Sequence, residues 1–162
     1  MISELTVRVA VPEDAAGITR VQLQAWRETY AHLLPAEALA AVQPGPREAR
    51  WAETIAAGAS GVWVACEGAD IIGWASAGAG RDTDRPRARE LEGMYVLASQ
   101  YGSGAGQRLL DAAVGRAGAY LWIAEANPRA FAFYRRNGFA ADGVTATHEL
   151  IGTPVRILRM VR

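Results

Sequence analysis

The chain contains no lysine; all 17 of its basic residues are arginine. The lysine-dependent phosphate loop of nucleotide hydrolases is therefore excluded, because its Gly-Lys-Ser/Thr element is missing. There is one cysteine, Cys66, so no disulfide can form within the chain, and a reducing, cytoplasmic setting is expected. Cys66 sits inside an apolar run and reads as core rather than as a nucleophile. The two histidines, His32 and His148, have no metal-ligand spacing, and no metal is expected. No apolar run is long enough to cross a bilayer, and "MISELTVRVA" has neither the basic start nor the apolar centre of a secretion signal. Excess charge is also missing: 17 basic residues balance 17 acidic ones, which argues against a dedicated nucleic-acid binder.

What is present is the material of one folded domain spanning residues 1–162, with 51% hydrophobic residues. Arginine as sole base, with abundant alanine and glycine, points to a GC-rich bacterial genome. "LTVRVA" (Leu5–Ala10) alternates as a half-buried strand. "PEDAAGITRVQLQAWRETY" carries two apolar stripes at helical spacing, Ile18/Val21/Ala25 and Leu23/Trp26/Tyr30. A short helix over Ala36–Val42 and a turn over Gln43–Arg47 lead to the helix "REARWAETIAAG", closed by Gly58. Two apolar runs around "EGAD" predict a β-hairpin, followed by a polar loop over Gly80–Ala88 and the strand "RELEGMYVL". A helix "GQRLLDAAVGRAG", a strand "AYLWIAEA", a helix "NPRAFAFYRRNGF" and strands over Phe139–Glu149 and Thr153–Val161 complete a mixed α/β pattern.

Between the strand "RELEGMYVL" and the next helix lies "ASQYGSGAGQRLL", with glycine at 102, 104 and 106. The dinucleotide fingerprint G-x-G-x-x-G fails here: its third glycine falls on Gln107 from one start and on Leu109 from the other. A strand–loop–helix junction of small residues still suits an anion, because free backbone N–H groups and a helix N-terminus favour negative charge. The same glycines also fit a plain turn between a strand and a helix.

Together, "ELEGMYVLASQYGSGAGQRLL" and "EANPRAFAFYRRNGF" resemble the GNAT superfamily of N-acetyltransferases. The family writes the loop as Arg/Gln-x-x-Gly-x-Gly/Ala. Gly104-Ala105-Gly106 supplies the glycines, and Tyr101 stands where the family has Arg or Gln. The resemblance implies a central, mostly antiparallel sheet flanked by helices, with its fourth and fifth strands splayed apart. It implies acetyl-CoA as donor and a primary amine of a small molecule or peptide as acceptor, joined in a ternary complex, and dimers are common in the family. It places the pantetheine arm along Met94-Tyr95-Val96 and the pyrophosphate on Tyr101, Gly102, Ser103, Gly104, Ala105, Gly106 and Gln107.

Asn127, Ala130, Phe131 and Tyr134 share one helix face, with Asn127 as N-cap and Pro128 at the first position. Alone they read as a cap and core residues; beside the glycine loop Asn127, Ala130 and Tyr134 read as further cofactor contacts. The resemblance makes Tyr134 the acid for the departing thiolate, a role its phenol suits by staying protonated at neutral pH. Gly93 is a place for a bulge that frees backbone N–H donors toward a developing oxyanion. For the base, Glu90 and Glu92 alternate onto one strand face, Glu90 at the position where relatives carry a proton acceptor. The alternatives are a water chain, or a charged strand end paired to arginine. Trp26 and Tyr30 either wall an acceptor pocket or pack on "HLLP". Arg81, Arg85, Arg87 and Arg89 either receive an acidic substrate or form a solvated surface. A catalytically inactive acyl-CoA-binding regulator on the same fold is the competing reading.

Overall fold

A computed structural model describes residues 3–162. Seven strands form one sheet: β1 (Leu5–Val9), β2 (Gly61–Glu67), β3 (Asp70–Ala79), β4 (Arg89–Val96), β5 (Tyr120–Ala124), β6 (Ala140–Leu150) and β7 (Thr153–Val161), in spatial order β1-β2-β3-β4-β5-β7-β6. Every neighbouring pair is antiparallel except β4 and β5, which run parallel. The expected α/β architecture with a mostly antiparallel sheet and one splayed central pair is what the chain adopts.

Helix α1 (Ala15–Tyr30) packs on β3 and β4 beside α3 (Pro44–Ala57), with the short α2 (Ala36–Ala40) between them in sequence. Helix α4 (Ala105–Ala113) covers the opposite face, touching β1 to β4, and α5 (Pro128–Arg136) sends Tyr134 into the same core. β3 therefore has helices on both sides, and eight of its ten residues are buried. The two stripes of α1 enter two different cores: Ile18 and Val21 join Val64, Ile71 and Trp74, whereas Leu23, Trp26 and Tyr30 join Leu34, Leu39 and Val155.

Two element boundaries differ from the sequence reading. The segment read as a turn over Gln43–Arg47 is the first turn of α3, which starts at Pro44. Prolines at 44 and 46 are tolerated there, because the first N–H groups of a helix have no acceptor within it to lose. Helix α4 stops at Ala113 instead of continuing to Gly118, since Val114 leaves helical backbone at φ −127°.

The polar loop 80–88 is tied down through its aspartates while Arg81, Arg85 and Arg87 stay exposed. Asp82 and Asp84 both pair with buried Arg159 of β7, at 3.0 and 2.7 Å, and Asp142 of β6 takes its Nε at 2.7 Å. Arg87 and Arg89 bond the carbonyls of Arg162 and Ala113. Among the described residues no helix is long and apolar enough to cross a membrane.

Candidate active site

The glycine loop meets the sheet at the end of β4. A 3-10 turn over Ala98–Gln100 leads to Tyr101, and Gly104 opens α4. Gly102 and Gly104 have φ of +82° and +91°, and a Cβ at either would meet nothing within 4 Å. Backbone conformation, not crowding, demands these two glycines, because an L side chain strains the left-handed region. Tyr101 and Ser103 N–H are used within the loop, and Ala105 N–H goes to Ser103 Oγ at 3.2 Å. The N–H groups of Gly102, Gly104, Gly106 and Gln107 have no acceptor among the described residues. Four unpartnered donors at a helix start could hold an anion. The Gln107 side chain is turned away, donating to Asp111 and Asn137 at 3.0 and 2.8 Å, so only its backbone N–H remains for one.

β4 and β5 pair only at Glu90–Tyr120 and Leu91–Leu121. Beyond Leu91 the strands part, and Met94, Tyr95 and Val96 pair with β3 alone, opposite Ala75, Trp74 and Gly73. Their other edge keeps backbone groups for a strand-like ligand, as alternate residues of an antiparallel strand point away from its partner. The register slips between Ser76 and Ala77, which oppose Gly93 and Leu91, so Glu92 is the extra residue of a bulge. Gly93 is required there by close approach: a Cβ would stand 2.9 Å from the Trp74 ring.

Asn127 caps α5, its Oδ1 accepting from Ala130 N–H at 3.1 Å, and Ala130 packs against the core beneath α4. Tyr134 is buried, its ring edge-on to Phe133 and Phe139. Burial, with Tyr95 nearby, pushes its pKa above the ordinary phenol range, so it stays protonated. No protein group among the described residues hydrogen-bonds its hydroxyl.

On the α1/α3 side of the bulge lies a cleft of about 360 Å³, lined by residues of α1, α3, β3 and β4 together with Ser60 and Arg81 from the loops before β2 and β4. Glu92 projects into it, accepting from Ser60 Oγ at 3.1 Å and Ser76 Oγ at 2.8 Å, with Arg81 Nε 3.8 Å away. Glu90 does not line this cleft. Only 2% exposed, it takes Arg81 Nη2 on Oε1 at 2.9 Å, and Arg81 Nε, Arg81 N–H and the Tyr120 hydroxyl on Oε2. Burial alone would raise its pKa, but the Arg81 donors outweigh burial and hold it below the usual carboxylate range. With its oxygens already accepting from Arg81 and Tyr120, Glu90 has little room to take a proton from a substrate, and the bulge at Glu92 separates the two glutamates that alternation grouped.

Trp26 and Tyr30 are buried with Leu34 of "HLLP" and do not line the cleft. The Tyr30 hydroxyl instead meets that of Tyr95 at 2.9 Å. Of the four loop arginines, Arg81 alone lines the cleft. The sequence reading missed Arg47, Arg50, Trp51 and Thr54, which do line it. Their spacing, i, i+3, i+4, i+7 along α3, was a legible signal of one face.

Residues 22–139 fit the model of the Acetyltransferase (GNAT) family. The chain is 30% identical over 131 residues to YuaI of Bacillus subtilis, described as an uncharacterized N-acetyltransferase, covering 76% of this chain and 74% of YuaI. Its fold is similar to YncA of Salmonella typhimurium, solved with acetyl-CoA, at TM-score 0.72 and 24% identity over 99% of this chain and 94% of that one. PaiA N-acetyltransferase of Thermoplasma acidophilum, solved with coenzyme A, aligns at TM-score 0.71 and 17% identity over 96% and 98% of the two chains. The chain belongs to the GNAT family of acetyltransferases.

Proposed function

We propose that the chain is a cytoplasmic, single-domain N-acetyltransferase that moves acetyl from acetyl-CoA directly to a primary amine. The observation that carries this reading is the opening of β4 from β5 past Leu91, with unpartnered N–H groups in the loop that follows β4 and buried Tyr134 near Tyr95 of the same strand.

The residues fit the donor. Gly102, Gly104, Gly106 and Gln107 offer backbone N–H groups to a pyrophosphate, and the free edge of Met94–Val96 offers amide groups to the pantetheine arm. Arg129 lies over Tyr101 and returns positive charge to the loop position where the family has Arg or Gln. Bound there, acetyl-CoA supplies a thioester as the acyl source.

Glu92 takes a proton from the incoming ammonium, because only the neutral amine carries a lone pair for attack; Ser60 and Ser76 keep its carboxylate aimed into the cleft. Outward N–H groups of β4 beyond the bulge stabilise charge on the carbonyl oxygen. Tyr134 gives its proton to the sulfur as the C–S bond breaks and the new N–C bond stands. The second amine proton leaves to solvent and the proton held on Glu92 passes through solvent to restore Tyr134, so one amide, one thiol and one net proton result.

Titration with acetyl-CoA, followed by free-thiol detection across an amine panel, tests the reading. Saturable binding and amine-dependent thiol release support it. Binding without release from any amine replaces it with an acyl-CoA-binding regulator.

A further inference from the structure

We infer that the acceptor is a small amine that also carries an anionic group, held by Arg47 and Arg50 with its nitrogen at Glu92. This rests on the acetyltransferase reading and names the acceptor class for the same site.

Arg47 and Arg50 stand one turn apart on the face of α3 that lines the cleft. Among the described residues, no carboxylate lies within 4.0 Å of either guanidinium, and neither donates a hydrogen bond. Arg47 is half-buried, its guanidinium carbon 4.6 Å from the Trp26 ring centroid. Burial and the adjacent Arg50 lower its pKa, the mark of two like charges kept close together in a partly dry place. The third cleft arginine, Arg81, is balanced by Glu90 at 2.9 Å, with Glu92 farther off at 3.8 Å. In a chain of zero net charge, this cleft thus holds two uncompensated cations facing one carboxylate. That polarity matches a molecule with an anion at one end and an ammonium at the other. It opposes polyamines, which would set cation against cation.

Size narrows the class. Taking about 30 Å³ for a water-sized group, the cleft has room for about a dozen heavy atoms. Trp51 and Trp74, edge-on at 4.6 Å, give the middle of the cleft an apolar wall for a short carbon linker. A free amino acid, an aminophosphonate or an aminosulfonate fits this description. The bulge brings the two substrates together: Glu92 and Gly93 line the cleft on the segment of β4 that has just parted from β5.

The test compares acetyl-CoA thiol release from the purified chain with β-alanine, 2-aminoethylphosphonate, taurine and glutamate against β-alaninamide, ethanolamine and 1,3-diaminopropane. At least one anionic amine should exceed its neutral counterpart at least tenfold in kcat/KM; the three headgroups separate carboxylate, phosphonate and sulfonate. Arg50→Gln and Arg47→Gln should each raise KM for that amine about tenfold and KM for neutral amines several-fold less, with Kd for acetyl-CoA unchanged. Preference for neutral or cationic amines, or equal losses for all acceptors, overturns the inference and leaves the transferase reading intact. If no amine releases thiol although acetyl-CoA binds, the transferase reading fails and this acceptor assignment falls with it.

Discussion

The guanidinium carbon of Arg129 lies 3.6 Å from the centroid of the Tyr101 ring. Tyr101 is exposed on the glycine loop, and Arg129 belongs to the first turn of α5, so the stack joins the loop to the cap region of Asn127. On the proposed reading, the cation that the family's Arg supplies at position 101 comes here from a neighbouring helix, and the Tyr101 ring positions it. An exposed cation–π contact is worth about 1 kcal/mol, or roughly fivefold in Kd. Arg129→Ala should weaken CoA binding by about that factor, and Tyr101→Arg in the Arg129→Ala background should recover it. Calorimetric titration with CoA decides; unchanged Kd in Arg129→Ala contradicts the role.

The two glutamates of β4 should separate by assay. Glu92→Gln removes the carboxylate in the cleft and should lower kcat/KM by about 10²-fold, the usual scale for a lost general base. Glu90→Gln should retain activity within a few-fold, because Glu90 is occupied by Arg81 and Tyr120. The opposite ranking returns the base to Glu90, and small effects from both point to a water chain.

Glu90 should appear instead in stability. Its folded-state pKa lies below its unfolded value, so its contribution is complete above the ordinary glutamate pKa and is lost as pH falls through the lower, folded value. Glu90→Gln should cost about 1–2 kcal/mol at pH 7. Tm profiles of wild type and variant should converge as pH falls from 5 to 3. A constant offset across that range contradicts the linkage.

Much of this was legible in residue order. The strand ends and the α5 cap and stop follow from local rules that the structure repeats at Asn127 and Gly138, whereas Gly102 and Gly104, read for their small size, serve by their left-handed backbone. The cleft was not legible for a different reason. Its wall is made where α3 meets the bulge of β4, elements some forty residues apart, and period-two alternation cannot reveal that one inserted residue re-aims Glu92. Trp26 and Tyr30 misled as an acceptor wall because a second apolar stripe fits either a pocket or a second core, and here Leu34, Leu39 and Val155 cover it.

Gly104 tests the cradle without touching a side chain. Alanine at φ +91° should cost about 1–2 kcal/mol and lower Tm by about 2–8 °C. CoA affinity should fall with it, because the same backbone aims the first N–H groups of α4. Strained but undiminished CoA binding would place the pyrophosphate elsewhere.

Tyr134→Phe should lower kcat about 10²-fold while Kd for acetyl-CoA stays within about twofold, since the lost hydroxyl acts on the leaving sulfur rather than on the bound cofactor. With its pKa raised by burial, Tyr134 contributes no limb to the pH–rate profile below about pH 10. Full kcat in the variant removes it from the reaction.

The most direct measurement of the central claim follows one reaction by two products: free CoA thiol by colorimetry and the N-acetyl amide by mass spectrometry, from acetyl-CoA and an amine panel. The account predicts thiol and amide in equal amounts, only when amine and enzyme are both present, and both lost in parallel in Tyr134→Phe and Glu92→Gln. Saturable acetyl-CoA binding with neither product above the enzyme-free background would contradict it.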